Sequence, residues 1–161
     1  MRIKALIASL SIALAVTGCT SGDTNSAKPV SSNGVNVSGN LGTAPVVTFD
    51  TNVVSPDQLV IQDIAVGTGA TAVATSTVTT HYIGYGMNTK QKFDSSWDRN
   101  EPATFGLNQV IQGWSQGIPG MKVGGRRLLI IPGYLAYGPS GSGQIQPNEA
   151  LVFVVDLVAV Q

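Results

Sequence analysis

Apolar and polar residues alternate along residues 77–85, where the sequence reads TVTTHYIGY. Val78, Thr80 and Tyr82 would share one face of a strand, and Thr79 and His81 would share the other. This alternation predicts a β-strand with one partly polar face. Apolar runs rich in β-branched residues predict strands at residues 59–66, 126–131 and 151–160, and the hairpin turn at residues 86–89 predicts a fourth further strand at 91–94.

Residues 109–117 have a helical pattern instead. Val110, Trp114 and Ile118 are spaced by four residues, so they would lie on one helical face, and Asn108 is the predicted N-cap. Gly113 weakens a helix intrinsically, which indicates that another part of the chain packs closely beside Trp114. The pattern predicts an α+β domain over residues 53–161, with an antiparallel twisted sheet of about five strands wrapped around one short helix.

The N-terminus has the pattern of an export signal. Arg2 and Lys4 precede an apolar run over residues 5–16, which is shorter than a membrane span of about 20 residues. Residues 16–19, VTGC, resemble the bacterial lipobox. We therefore expect residues 1–18 to be a lipoprotein signal peptide and Cys19 to carry the lipid, with palmitate among its acyl chains. An ordinary secreted protein cleaved near Gly18 is the alternative.

Residues 19–52 are expected to be the lipidated cysteine and a flexible tether, because they are rich in Ser, Thr, Asn, Gly and Val and almost uncharged. The protein would then be an exported, membrane-anchored lipoprotein on the periplasmic or cell-surface side. Thr20 follows Cys19 where some bacteria use aspartate for inner-membrane retention. A Gram-negative source would therefore place the protein at the outer membrane.

Composition narrows the function further. The chain is 11% charged and 43% hydrophobic, with a formal net charge of zero. This balance argues against nucleic acid as a partner, because binding it depends on neutralising phosphates, and the adjacent pair Arg126 and Arg127 is expected to be a solvated strand edge. The single cysteine and the single histidine make no zinc-ligand cluster. No metal and no cofactor are expected.

Residues 92–105, KFDSSWDRNEPATF, combine aromatic, acidic, hydroxyl and basic side chains. A core strand would avoid Asp94, Asp98 and Arg99, because buried charge is costly unless it is paired. A solvated loop would have little use for Phe93 and Phe105. Concave binding sites are mostly apolar and carry a few oriented polar groups, so this stretch is expected to form part of one.

Several motifs occur in a specific order along the chain. They are HYIG at residues 81–84, KFDSS at 92–96, DRN at 98–100, VIQGW at 110–114, MKVG at 121–124, AYG at 136–138 and LVF at 151–153. In order and spacing, residues 59–160 resemble the FKBP-type peptidyl-prolyl cis-trans isomerases. The resemblance implies a monomeric isomerase whose partners are proline-containing polypeptides, and it implies a site for the family's macrolide inhibitors.

By this resemblance, Trp114 would be the floor of a proline pocket, with Phe93, Tyr82 and Phe153 as its walls. The Ile111 amide and the Tyr137 hydroxyl would hold carbonyl groups, and Arg99 would orient Asp94. The implied catalytic residues are Asp94, Tyr137, Phe93 and Trp114. The implied substrate-binding residues are Tyr82, Arg99, Val110, Ile111, Ile145 and Phe153.

Other interpretations stay open from the residues alone. Trp114, Tyr82 and Phe153 fit a plain core, and the pair of Asp94 and Arg99 fits a loop ion pair worth at most about 1 kcal/mol. The protein could also be a non-catalytic module for proline-containing peptides, or a chaperone on the membrane surface.

The chain also departs from the family pattern. Ala103 stands where many members have an aromatic residue, which is expected to open one wall, and Gln109 replaces a commoner acidic residue. Trp97 stands where a polar or basic residue is usual, and His81 is expected to face away from the pocket. The loop over residues 139–146 is one residue shorter than in the small members of the family.

Overall fold

The computed structural model describes residues 27–161, so the predicted signal peptide and Cys19 lie outside the described residues. The described strands, in chain order, are β1 (Val30–Ser32), β2 (Val35–Ser38), β3 (Val46–Phe49), β4 (Val60–Ala65), β5 (Thr77–Gly86), β6 (Lys92–Ser95), β7 (Ala103–Gly106), β8 (Arg126–Ile131) and β9 (Leu151–Val160). The helix α1 (Gln112–Gly117) precedes β8, and two 3₁₀ turns, Gly133–Leu135 and Gly138–Ser140, lie between β8 and β9. No helix within residues 27–161 has the length and apolar character needed to cross a membrane.

Six strands form the main antiparallel sheet. The order is β4-β8-β9-β5-β6, and β7 also pairs with β5. Strand β5 is ten residues long, so its first half pairs with β7 and its second half pairs with β6. An antiparallel sheet packed on one short helix confirms the predicted fold class, and β7 is the strand that the pattern did not predict.

Helix α1 packs on one face of the main sheet, here called the helix face. It begins at Gln112, three residues later than predicted, and Ile111 instead of Asn108 is its N-cap residue. A Cβ added to Gly113 would collide with the side chain of Ile131, and one added to Gly117 would lie 2.7 Å from Leu129 Cδ2. The two glycines therefore let the helix approach β8 closely, as predicted for Gly113.

The opposite face of the main sheet is covered by a second sheet. Strands β1, β2 and β3 form an antiparallel three-stranded sheet, and Val35 and Val37 on β2 are buried. They belong to one apolar cluster with residues of the main sheet, including Ile83, Leu128 and Val152. The prediction of a flexible tether is therefore wrong for residues 30–49. Strands of three or four residues are marginal alone, and this sheet is stabilised by burying an apolar face.

Arg126 and Arg127 are buried, so the prediction of a solvated strand edge is also wrong. Arg126 pairs with Asp156 and donates hydrogen bonds to the carbonyl oxygens of Gly39, at 3.3 Å, and Thr43, at 2.7 Å. Both carbonyls lie in the turn between β2 and β3. Arg126 therefore connects the N-terminal sheet to the main sheet, and it donates to carbonyl groups that would otherwise lack a hydrogen-bond partner.

Arg127 has a matching role on the helix face. It pairs with Asp63 on β4, with a distance of 2.6 Å from Nε to Oδ1. Its Nη1 donates to the Gly117 carbonyl at 2.8 Å, which is at the C-terminal end of α1. A cation is favourable at this end of a helix because the terminal carbonyls are otherwise unpaired. Arg127 thus fixes the helix that carries Trp114.

Candidate functional site

A cavity of about 370 Å³ opens between helix α1, the helix face of the sheet and the loop after β8. This volume lies within the usual range of small-ligand sites, about 300 to 1,000 Å³. Its lining is mostly aromatic and aliphatic. The lining residues are Tyr82, Phe93, Asp94, Phe105, Gln109, Val110, Ile111, Trp114, Tyr137 and Phe153.

Trp114 is the base of the cavity and is 4% exposed. Its indole ring meets three rings edge-to-face, with centroid separations of 5.6 Å to Tyr82, 5.4 Å to Phe105 and 5.3 Å to Phe153. Each such pair contributes about 0.5 to 1.5 kcal/mol beyond area burial. The indole is therefore held rigidly from several sides. A floor of this kind does not collapse to fill the space above it.

Gly84 makes room for the wall opposite the helix. A Cβ at this position would lie 2.6 Å from Phe93 Cζ and 2.8 Å from Phe153 Cε1. The absence of a side chain on β5 lets the two phenyl rings pack edge-to-face, with centroids 5.5 Å apart. Phe93 comes from β6 and Phe153 from β9, on either side of β5. The tertiary pairing of three strands builds this wall.

A hydrogen-bonded network forms the polar edge of the cavity. The Tyr82 hydroxyl donates a short hydrogen bond to Asp94 Oδ2, and Arg99 donates to Asp94 Oδ1 at 2.7 Å and to the Tyr82 hydroxyl at 3.1 Å. The Ser95 amide donates to Asp94 Oδ1 at 2.8 Å. Both carboxylate oxygens are therefore occupied, and the orientation of Asp94 is set from three directions.

This network shifts the ionisation of its members. Burial opposes the charged form of Asp94, but the hydrogen bonds from Arg99 and Tyr82 outweigh it and hold the carboxyl pKa below its usual value. Burial and the adjacent Asp94 carboxylate raise the pKa of the Tyr82 hydroxyl. At neutral pH the site therefore contains an ionised Asp94, a protonated Tyr82 and a charged Arg99.

Several hydrogen-bond donors of the cavity lining have no partner within residues 27–161, including the buried indole Nε1 of Trp114 in the floor. Within residues 27–161, neither the Ile111 amide nor the Tyr137 hydroxyl has a hydrogen-bond partner. Ile111 precedes α1, where backbone amides have no intrahelical acceptor, and Tyr137 is 41% exposed at the cavity rim. The arrangement can thus hold two acceptor groups of a bound molecule above an apolar floor.

The structure brings together eight of the ten residues expected at the site. Arg99 stands behind Asp94 and is not part of the cavity lining, and Ile145 is buried in the core cluster. Two lining residues, Phe105 and Gln109, were not among those expected. Phe105 shares a face of β7 with Ala103, and that alternation could have indicated it.

Ala103 is not among the residues that line the cavity. It packs against the core cluster opposite Thr80 of β5, and Phe105 provides the lining instead. His81 lies on the other side of β5, as predicted, where its ring stacks on Trp97 with centroids 4.0 Å apart. The His81 Nδ1 atom is 3.0 Å from Ser96 Oγ. His81 and Trp97 therefore belong to the framework behind the cavity.

Comparisons with known proteins agree with this geometry. The family model of the FKBP-type peptidyl-prolyl cis-trans isomerase matches residues 69–158, more than half of the chain. The chain belongs to this family. It is 52% identical over 105 residues to a "Probable FK506-binding protein" of Corynebacterium glutamicum, covering 65% of this chain and 89% of that protein. It is 54% identical over 109 residues to an "FK506-binding protein" of Streptomyces anulatus, covering 65% and 88% of the two chains.

The solved structures give the same family. The crystal structure of FkpA from Escherichia coli is similar with a TM-score of 0.60 and 42% identity, over 64% of this chain and 48% of that one. The resemblance inferred from the sequence motifs is thereby confirmed. This FKBP-type protein is a peptidyl-prolyl cis-trans isomerase that binds proline-containing peptides, so membership of the family favours the enzyme over a purely non-catalytic module.

Proposed function

We propose that the aromatic cavity is the place where this isomerase binds the X-Pro segment. The observation that supports this most is the combination of a rigid apolar floor at Trp114 with two free donors, the Ile111 amide and the Tyr137 hydroxyl. In this assignment the proline ring lies on the indole, between Phe93 and Phe153. The donors hold carbonyl groups of the polypeptide on each side of the proline.

Rotation about a peptide bond needs no covalent chemistry. The barrier of about 18 to 20 kcal/mol comes from partial double-bond character between carbon and nitrogen, and X-Pro bonds have cis and trans forms of similar free energy. The twisted transition state has lost this resonance and has less charge separation than the planar amide. An apolar cavity that excludes water therefore stabilises it relative to the ground state. Each tenfold acceleration requires about 1.4 kcal/mol of this differential binding.

Asp94, in this proposal, acts by electrostatics and position. Its oxygens accept hydrogen bonds from Tyr82, Arg99 and Ser95, which fix its orientation, and its lowered pKa makes it a weak base. It presents a fixed negative wall beside the rotating amide. Val110 and Ile111 close the opposite side, and Arg99 and Ile145 support the site from behind its lining.

An NMR exchange or protease-coupled assay on an X-Pro peptide tests the site. Trp114→Ala and Phe153→Ala should each lower kcat/KM by about tenfold or more, which corresponds to about 1.4 kcal/mol of lost transition-state stabilisation. Gln112→Ala, an exposed change on the same helix, is the matched control. Activity at the wild-type level in both pocket variants would overturn the site assignment.

We propose in addition that the isomerase is exported and anchored by a lipid on Cys19, where it assists the folding of exported or envelope proteins. The support is the apolar run at residues 5–16 followed by VTGC. Seven residues lie between Cys19 and the buried Ala27, so the eight steps of a fully extended chain reach at most about 29 Å. The isomerase would therefore be held close to the membrane surface.

Labelling with palmitate tests the anchor. The wild-type protein should take up the label. Cys19→Ala should take up none and should be absent from the membrane fraction. Retention of Cys19→Ala in the membrane would overturn the proposal, and so would a wild-type protein that takes up no label.

We propose further that the pocket binds macrolide inhibitors and that the protein acts as a monomer. Two relatives are named for FK506 binding. Titration calorimetry with FK506 should give one site per chain, lost in Trp114→Ala. Analytical ultracentrifugation should give a single species of monomer mass.

A further inference from the structure

Glu149 is a buried carboxylate that the proposed mechanism does not use. It is 1% exposed, and it is absent from the four salt bridges of residues 27–161. Its partners are all neutral. Oε1 accepts from the Thr89 amide at 3.0 Å and from Thr89 Oγ1 at 2.9 Å, and Oε2 accepts from the Gln146 amide at 2.8 Å.

Burying a carboxylate without a cation is costly unless hydrogen bonds replace its hydration. Burial alone would raise the pKa of Glu149, but the amides of Gln146 and Thr89 hold that pKa below its usual value. The carboxylate therefore stays charged, and each oxygen is committed to a different segment of the chain. One anchor, Gln146, is three residues from Glu149, whereas the other, Thr89, is 60 residues away.

The first anchor belongs to the loop between Tyr137 and Glu149. The ends of this loop are joined by the hydrogen bond from the Asn148 amide to the Gly138 carbonyl, at 2.8 Å. Within it, Ser142 and Ile145 exchange two backbone hydrogen bonds. Ile145, which precedes Gln146, is buried in the core cluster that includes Trp114. Glu149 therefore holds the returning half of the loop whose first residue, Tyr137, lines the cavity.

The second anchor is the turn between β5 and β6. Thr89 lies in this turn, and β6 begins at Lys92 and carries Phe93 and Asp94 into the cavity. Gly86, at the start of the turn, has no room for a side chain, because a Cβ there would collide with Glu149 Oε1 and Thr89 Oγ1. The contact between this turn and Glu149 is thus close.

We propose that Glu149 is a positioning residue of the isomerase, which joins the Phe93 and Asp94 wall to the loop that carries Tyr137 and Ile145. Through its two oxygens it sets the width of the cavity mouth, where the polypeptide on either side of the proline is held. The inference rests on the proposed site assignment. Loss of the connection should weaken the binding of the ground state and transition state alike, so KM should rise while kcat changes little.

Two substitutions test the two sides of the connection separately. Glu149→Gln keeps the shape but has one acceptor oxygen, so either the Gln146 amide or the Thr89 amide loses its partner. Thr89→Val removes only the hydroxyl donor and keeps the backbone amide. Thr89→Ser retains the hydroxyl and is the matched control. Asp57→Asn controls for the loss of one negative charge at an exposed position.

The assay measures KM and kcat for an X-Pro peptide, with thermal unfolding recorded for every variant. The KM should rise about fivefold in Glu149→Gln, the factor for one typical lost hydrogen bond of about 1 kcal/mol, and about twofold to threefold in Thr89→Val. In both variants kcat should stay within about twofold of wild type. Thr89→Ser and Asp57→Asn should match the wild-type enzyme.

A KM at the wild-type value in both Glu149→Gln and Thr89→Val would overturn the inference, even if their unfolding temperatures fell. A fall in kcat at constant KM would overturn it too. Where Glu149→Gln does not fold, Thr89→Val decides the question alone. Failure of the site assignment is detected separately, because Trp114→Ala would then retain the wild-type KM and kcat.

Discussion

Arg126 and Asp156 form a bidentate ion pair across β8 and β9, with distances of 2.5 Å from Nε to Oδ1 and 2.7 Å from Nη2 to Oδ2. The Arg126 side chain is fully buried and that of Asp156 is 12% exposed. The remaining guanidinium donors reach the turn between β2 and β3. One side chain thus connects the main sheet to the turn of the N-terminal sheet.

Arg126→Met should lower the free energy of unfolding by about 3 to 5 kcal/mol, because it leaves Asp156 buried without its partner. Urea denaturation measures this change. The double variant Arg126→Met with Asp156→Leu should recover part of the loss, since it removes both charges. Lys122→Met, at an exposed position, should change the stability by less than about 0.5 kcal/mol. Equal stability of the single variant and the wild type would contradict a structural role for the pair.

The N-terminal sheet should contribute to the stability of the isomerase domain. Val37→Ala removes two methyl groups from a side chain that is 1% exposed, and it should cost about 2 kcal/mol. Val46→Ala, in the same sheet but 56% exposed, should cost less than about 0.5 kcal/mol. Denaturation with urea compares the two. Equal stability of Val37→Ala and Val46→Ala would show that the N-terminal sheet is not packed on the domain in solution.

Gly113→Ala gives opposite expectations from sequence and from structure. Helix propensity alone predicts a gain of about 1 kcal/mol. The structure predicts a loss of about 1 to 3 kcal/mol, because the new methyl group collides with Ile131 and moves the helix. Since Trp114 is the next residue, kcat/KM should fall as well. Thermal unfolding together with the X-Pro assay separates the two outcomes, and a stabilised, fully active Gly113→Ala would contradict the observed packing.

The acid dependence of the enzyme should reflect Asp94. Its pKa is lower in the folded protein than the ordinary value of 3.8, since hydrogen bonds from Arg99 and Tyr82 outweigh the effect of burial. A lowered folded-state pKa contributes stability that is present above the unfolded pKa and is lost as the pH falls through the folded pKa.

We therefore expect kcat/KM to be constant from neutral pH down to about pH 4 and to fall below it. Asp94→Asn should lack this acid limb at a lower overall activity. Kinetics over the acid range on both proteins provide the measurement. An acid limb of the same shape in Asp94→Asn would show that another group is responsible.

Much of the isomerase fold could be predicted from local pattern. The alternation in residues 77–85 and the apolar runs at 126–131 and 151–160 correspond to β5, β8 and β9. The motif order also indicated the family and eight of the ten cavity residues. These signals are local because strand period and motif spacing are properties of neighbouring residues.

The segments that were predicted wrongly are those whose structure depends on other segments packing against them. Residues 30–49 are too short and polar to predict strands by themselves, and Arg126 resembles any exposed arginine. A signal was nevertheless present, because β8 and β9 are nearly continuous apolar runs, which is typical of strands buried on both faces. Burial on both faces means that another segment must cover the second face of the main sheet. The pattern did not identify which segment does so.

The sequence by itself determined the family, the strands of the main sheet, the apolar stripe of the helix and the residue types at the cavity. Only the tertiary structure decided that the N-terminal segment is a second sheet, that Arg126 is buried beneath it, and that Glu149 joins two walls of the cavity. The physical reason is the same in all three cases. The stability of a short strand, a buried charge or a loop depends on partners distant in sequence, and those partners are defined only when the chain has folded.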